Sequence, residues 1–185
     1  MTPMSSRTKF IDPKVVDETL AEVANIARLE GVKVVVIGGV AMMVYGSDRM
    51  TKDVDVATVD EYLAELTPIR QLTFGGFVGR TPGGREVDLV VRSDDYRDLY
   101  EEAVSLAGDE GLPLLVVSPE HLLALKMAAG RGKDELDVKF LLGSGRVDYT
   151  AARWIVKKYL GEYAARVLDS LRDEVEWTKS RGADR

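Results

Sequence analysis

The chain has no cysteine and a single histidine, His121, in 185 residues. Without cysteine there is no disulfide framework, no thiolate nucleophile and no cysteine-ligated zinc. One histidine excludes a multi-histidine metal centre and a histidine-rich pH switch. Long apolar runs are missing too. The most hydrophobic stretch, Val34 to Gly46, is broken by Gly38 and Gly39 and bounded by Lys33, well short of the ~20 residues of a membrane-spanning helix. Met1 to Phe10 carries two basic residues, Arg7 and Lys9, with no apolar segment behind them, and so does not read as a secretory leader. A cytoplasmic protein with no membrane partner is the expectation. Positive charge is also in deficit, 25 basic against 31 acidic residues with a net charge of −6. That balance argues against generic duplex binding through a basic surface. Catalysis, if present, must run on carboxylates, lysine, arginine, hydroxyls or a metal held by oxygen.

What is present is ordinary for a globular chain, 45% hydrophobic and 30% charged, and the length suits one compact domain. Helical spacing of Val15, Leu20, Val23, Ile26, Ala27 and Leu29 predicts a helix over Pro13 to Glu30. Lys33 to Ile37 reads as a buried strand running into Gly38-Gly39, with a short helix over Val40 to Tyr45. Thr51 to Ala57 reads as a strand and Val59 to Gln71 as a helix. Phe77 to Gly79 and Glu86 to Arg92 form a hairpin around Thr81-Pro82-Gly83-Gly84. A helix over Ser93 to Ala107 and a strand over Leu114 to Val117 follow. Ser118-Pro119 then opens a helical remainder, His121 to Ala129, Asp134 to Leu142, Tyr149 to Leu160 and Glu162 to about Thr178. The expected organisation is a flexible N-terminus over 1–12, an α/β domain over 13–143 and C-terminal helices over 144–185 packed on it.

The chemistry is concentrated in Val36-Ile37-Gly38-Gly39 and Arg49-Met50-Thr51-Lys52-Asp53-Val54-Asp55-Val56. A strand ending in two glycines and opening a helix exposes backbone N–H groups at a positive dipole end, which suits a phosphate. On a strand, Thr51, Asp53 and Asp55 point one way, placing the two carboxylates roughly 7 Å apart from twice the ~3.3 Å rise. Like charges so close repel unless a cation lies between them, and oxygen ligands suit Mg2+ or Mn2+ clamping nucleotide phosphates. Asp88 stands in the apolar strand Glu86-Val87-Asp88-Leu89-Val90-Val91, a costly position without a cation or donor. Asp53, Asp55 and Asp88 are thus the candidate metal ligands, with Asp88 best placed as general base or as ligand beside an acceptor hydroxyl.

These residues resemble the nucleotidyltransferase superfamily of the DNA polymerase β type, and in particular the small bacterial and archaeal enzymes related to AbiEii-type toxins. The resemblance spans roughly Val34 to Leu142. It implies an α+β fold, a mixed sheet flanked by helices with a helical C-terminal part. It also implies transfer of a nucleoside monophosphate from an NTP to a hydroxyl, on an RNA or tRNA 3′ end or a protein, with release of pyrophosphate. Gly38, Gly39, Arg49 and Thr51 match its nucleotide-binding motif. Relatives often carry a hydroxyl residue where Val40 stands, so a second reading is a weakly active nucleotide-binding regulatory module of a toxin–antitoxin pair, with a cognate antitoxin or small partner protein.

A second cluster follows on Leu122 to Asp137. Lys126 is the one charge in an apolar helix and needs an anion, and Asp134 and Asp137 share a face of the next helix. By resemblance, Lys126 and Arg131 contact the triphosphate, and Asp137 orients Lys126 or supports the metal shell. Lys133 and Lys139 read as solvated pairs with Asp137 and Glu135, and His121 as a surface residue without a role. Arg80, Arg85, Arg153, Lys157 and Lys158 together with Arg131 and Lys133 form either an RNA track or a charged helix face. Trp154, Val156, Leu160, Tyr163, Val167, Leu168 and Leu171 read as helix packing or a homodimer face.

Overall fold

The computed structural model describes residues 10–60 and 63–182. Helix α1 (Pro13–Glu30) starts where the Asp12 carboxylate accepts from the Lys14 N–H and Pro13 fills the first turn, and it stops at Gly31 in the left-handed region. Its buried face, Val16, Leu20, Val23, Ile26 and Ala27, lies in a core shared with the sheet and the later helices. The sheet comprises β1 (Val35–Val36), β2 (Asp55–Ala57), β3 (Thr67–Gln71), β4 (Phe77–Arg80), β5 (Glu86–Val90) and β6 (Leu115–Val116). Its order is β3-β4-β5-β2-β1-β6. The β1–β6 and β2–β5 pairs are parallel and the others antiparallel. Helices α2 (Gly38–Val44), α3 (Arg97–Ser105), α4 (Pro119–Ala129) and α5 (Gly132–Gly143) complete the layer with α6 (Tyr149–Gly182), which is interrupted at Gly161. This is the mixed sheet flanked by helices that was expected. Among the described residues no helix is long and apolar enough to cross a membrane.

Several expectations change. No strand runs from Thr51. The Thr51 hydroxyl donates to the Asp53 carbonyl at 2.8 Å, a local bond that competes with a ladder, so β2 begins only at Asp55. The helix expected over Val59 to Gln71 is not formed in the described part of that span, while residues 61 and 62 lie outside the described residues. Thr67–Gln71 is instead an edge strand, exposed along its length. Pro68 lacks an N–H and pushes its neighbour toward extended geometry, which an edge strand tolerates. The helical spacing of Leu63 and Leu66, both buried, belongs to a single turn whose Ala64 and Glu65 N–H groups donate to Glu30. The N-terminal segment expected to be flexible lies mostly outside the described residues.

His121 is not on the surface. It is 4% exposed, between Ser118 Oγ at 2.9 Å and Glu102 at 3.3 Å, because α4 packs against α3 and α6 there. Burial lowers its pKa. The stripe on α6 divides: Val156, Leu168 and Leu171 enter the core, while Trp154, Tyr163 and Val167 are exposed.

Candidate active site

The parallel β2–β5 pair places Asp55 directly opposite Asp88. Directly paired residues share a face with Cβ atoms ~5 Å apart, so the close carboxylate pair spans two strands. Asp53, expected on that same strand face, lies in the loop before β2 and is exposed. It remains near enough for its charge to raise both neighbours. Burial, and then Asp88, push the Asp55 carboxyl up to about 6. Asp88 is likewise raised, by burial first and by Asp53 next. The row continues outward, since Asp88 pairs with Val78 and Val78 with Arg70.

Gly38 and Gly39 begin α2 beside this pair. The Gly39 N–H donates to Asp55 Oδ2 at 3.4 Å. Gly38 has φ 62°, and a Cβ there would stand 2.2 Å from Asp55 Oδ2. Only glycine therefore fits, by conformation and by space. A Cβ on Gly39 would meet Thr51 Oγ1 at 2.4 Å, so Thr51 closes over the glycine pair. Val40 is buried in the core.

Facing the carboxylates is a chain of alternating charge. Lys126 Nζ, 5% exposed as a residue, lies 2.7 Å from Asp137 and 3.4 Å from Asp134. Arg49 donates to Asp137 at 2.8 Å and Arg131 to Asp134 at 2.7 Å. Asp134 is buried, which opposes its ionisation, but Arg131 and Lys126 hold its pKa down. Asp137 thus ties Lys126 to Arg49, and the solvated Lys133–Asp137 pair expected from spacing does not form because Asp137 faces inward. Lys139 does pair with Glu135, at 2.8 Å.

Between these walls is a cleft of about 730 Å³, lined by all the proposed site residues except Asp137, which stands behind Lys126 and Arg49. Sequence reasoning missed its other lining groups. Asp88, Val90 and Arg92 at the β5 end and Arg70, Leu72 and Phe74 at the β3 end line it as well, each set at alternate positions. The Arg92 guanidinium lies 5.1 to 5.7 Å from the rings of Phe74, Tyr96 and Tyr100 and also binds Asp94. The period-2 pattern of β5 would have put Arg92 on the face of Asp88, whereas Arg70 was hidden in a stretch read as helix. Of the basic side chains considered as an RNA track, Arg131 and Lys133 line the cleft and the other five are engaged in ion pairs away from it. Arg80 pairs with Glu86, Arg85 with Glu18 and Glu22, Arg153 with Asp169, Lys157 with Glu162 and Lys158 with Glu102.

The donor set fits a hard divalent cation. Two carboxylates held side by side, one raised to about 6, form an anionic pair that makes no direct ion pair among the described residues and is only partly compensated by the more distant Lys126 and Arg70. Mg2+ typically takes one or two protein carboxylates and completes its shell with water and substrate phosphate. Among the described residues no group of three or more His, Cys, Asp or Glu side chains is placed to hold a metal ion, so the protein itself offers at most the carboxylate pair.

No curated protein matches the chain. Among solved structures, it is similar to an antigenic nucleotidyltransferase-like protein from Paracoccidioides brasiliensis at 19% identity, covering 85% of this chain and 94% of that one with a TM-score of 0.48. It is also similar to the antibiotic-resistance factor ANT(2'')-Ia at 15% identity, covering 95% and 100% with a TM-score of 0.45. Residues 14–167 match the family described as nucleotidyltransferases of unknown function, DUF6036, and the chain belongs to that family.

Proposed function

We propose that the protein transfers a nucleoside monophosphate from an NTP to a hydroxyl acceptor and releases pyrophosphate. The observation that carries this reading is the Asp55–Asp88 pair placed against the Gly38-Gly39 opening of α2. Asp55 and Asp88, with Asp53 beside them, would hold Mg2+ or Mn2+, which would supply charge neutralisation at the reacting phosphate. The backbone N–H groups at Gly38 and Gly39 and the side chains of Lys126 and Arg131 bind the triphosphate. Thr51 and Arg49 bound the same side of the pocket, with Arg49 and Lys126 oriented by Asp137. Asp88 takes the acceptor hydroxyl proton as the acceptor oxygen bonds to the α-phosphorus and the bond to pyrophosphate breaks.

Pyrophosphate release from each NTP, with magnesium and a panel of RNA and protein acceptors, tests the proposal. Release abolished by chelation and by Asp88→Asn supports it. The buried Val40, standing where a phosphate-contacting hydroxyl is common, motivates a second reading: a nucleotide-binding regulatory module working with a small partner protein. Magnesium-dependent stabilisation by NTP with no release on any acceptor supports that alternative.

A further inference from the structure

Asp88, Val90 and Arg92, and beside them Arg70, Leu72 and Phe74, line the cleft in one graded order: a charge first, an aliphatic side chain next and a flat group last. Three rings converge on that flat end. The Arg92 guanidinium lies 5.1 Å from the ring of Tyr96, 5.4 Å from Tyr100 and 5.7 Å from Phe74, and it donates to Asp94 at 2.9 and 2.5 Å. Its charge is thereby answered and its plane fixed, so this guanidinium serves as a flat surface rather than as a free phosphate ligand. Phe74 is held as firmly. The turn that carries it from β3 to β4 lies so close to β5 that a Cβ on Gly75 would stand 2.3 Å from the Val91 carbonyl oxygen, and one on Gly76 2.0 Å from that of Leu89. Yet Phe74 is 40% exposed and lines the cleft. An aromatic ring fixed in place and open to a cleft has room for a flat partner.

We propose that Phe74, with the Arg92 plane beside it, stacks on the nucleobase of the bound NTP. This rests on the nucleotidyl-transfer reading and assigns the residues that hold the base of its donor. From Asp88 to Arg92 an extended chain advances about 13 Å, comparable to the reach of a nucleotide from its α-phosphate to its base. Leu72 and Val90, between the two ends, give the sugar an uncharged wall. Stacking draws on π-surface and tolerates any base, so the larger purines gain more from it than the pyrimidines.

The test separates the base from the phosphates. Affinities for ATP, CTP and inorganic tripolyphosphate are measured with magnesium by titration calorimetry, for wild type, Phe74→Ala, Phe74→Tyr and Leu29→Ala. Leu29 is likewise an exposed apolar side chain, on α1 and outside the cleft. Loss of one stacked base predicts ATP binding about tenfold weaker in Phe74→Ala, a smaller loss for CTP, and tripolyphosphate binding unchanged. Phe74→Tyr, which keeps the ring, and Leu29→Ala should bind ATP like wild type. Equal ATP affinity in Phe74→Ala and wild type would overturn the proposal. So would an equal loss for tripolyphosphate, which would make Phe74 a structural support of the phosphate site. Adenosine that binds beside saturating ATP, and no longer does so in Phe74→Ala, would give the slot to an acceptor and overturn its assignment to the donor. Phe74-dependent ATP binding with no pyrophosphate release on any acceptor would uphold the stacking site and sink the transfer reading. Transfer with ATP affinity indifferent to Phe74 would do the reverse.

Discussion

Asp55 and Asp88 are directly registered partners on adjacent parallel strands, so their carboxyl groups share one face of the sheet. Partial burial raises both, and their mutual charge raises Asp55 further. Such a pair costs stability while it is not neutralised, and a bound cation would relieve that cost.

The metal-free protein should show this cost directly. Asp55 titrates at about 6 in the folded state against an ordinary 3.8, so the folded protein binds the extra proton between these values and loses stability as pH rises through them. Asp55→Asn removes the charge and keeps an acceptor for the Gly39 N–H. In thermal melts with chelator, Asp55→Asn is expected to be more stable than wild type at pH 7.5, on the order of 2 kcal/mol, with the gap closing by pH 4. A variant less stable at pH 7.5 would contradict the placement of Asp55.

Gly38→Ala tests the glycine turn. The new methyl group meets Asp55 Oδ2 and the backbone is in the left-handed region, so about 1–3 kcal/mol of stability should be lost. NTP-dependent stabilisation should fall with it. Urea unfolding with and without NTP and magnesium reads both effects.

Lys126 and Arg131 should separate structure from binding. Lys126→Met leaves Asp134 and Asp137 buried with less compensation, and a loss of about 3 kcal/mol is expected. The Arg131 side chain is 55% exposed but its partner Asp134 is buried, so Arg131→Met should cost about 1–3 kcal/mol, less than Lys126→Met, whose ammonium bridges two buried carboxylates, while weakening NTP affinity. Equal losses of stability in the two variants would show that Arg131 is as structural as Lys126.

The legible parts of this site were those set by short-range pattern. Gly38-Gly39 after an apolar strand, Asp88 inside another, and Lys126 within an apolar helix each violate a local expectation, and each lines the cleft. Asp53 was misplaced because the Thr51 hydroxyl diverts the backbone, which alternation cannot reveal. Arg70 was hidden because Leu63 and Leu66 mimic helical spacing ahead of Pro68. The Arg49–Asp137 contact joins residues 88 apart in sequence, and only the docking of α5 beside the loop before β2 creates it. His121 was misjudged because its partner, Glu102, lies on another helix.

The most direct measurement is transfer of label from α-phosphate-labelled NTPs, with magnesium, total tRNA and cell lysate, comparing wild type with Asp88→Asn. A labelled macromolecule together with pyrophosphate, both lost on chelation and in Asp88→Asn, is the predicted result. Magnesium-dependent labelling that persists at wild-type rate in Asp88→Asn would contradict the central role given to the Asp55–Asp88 pair.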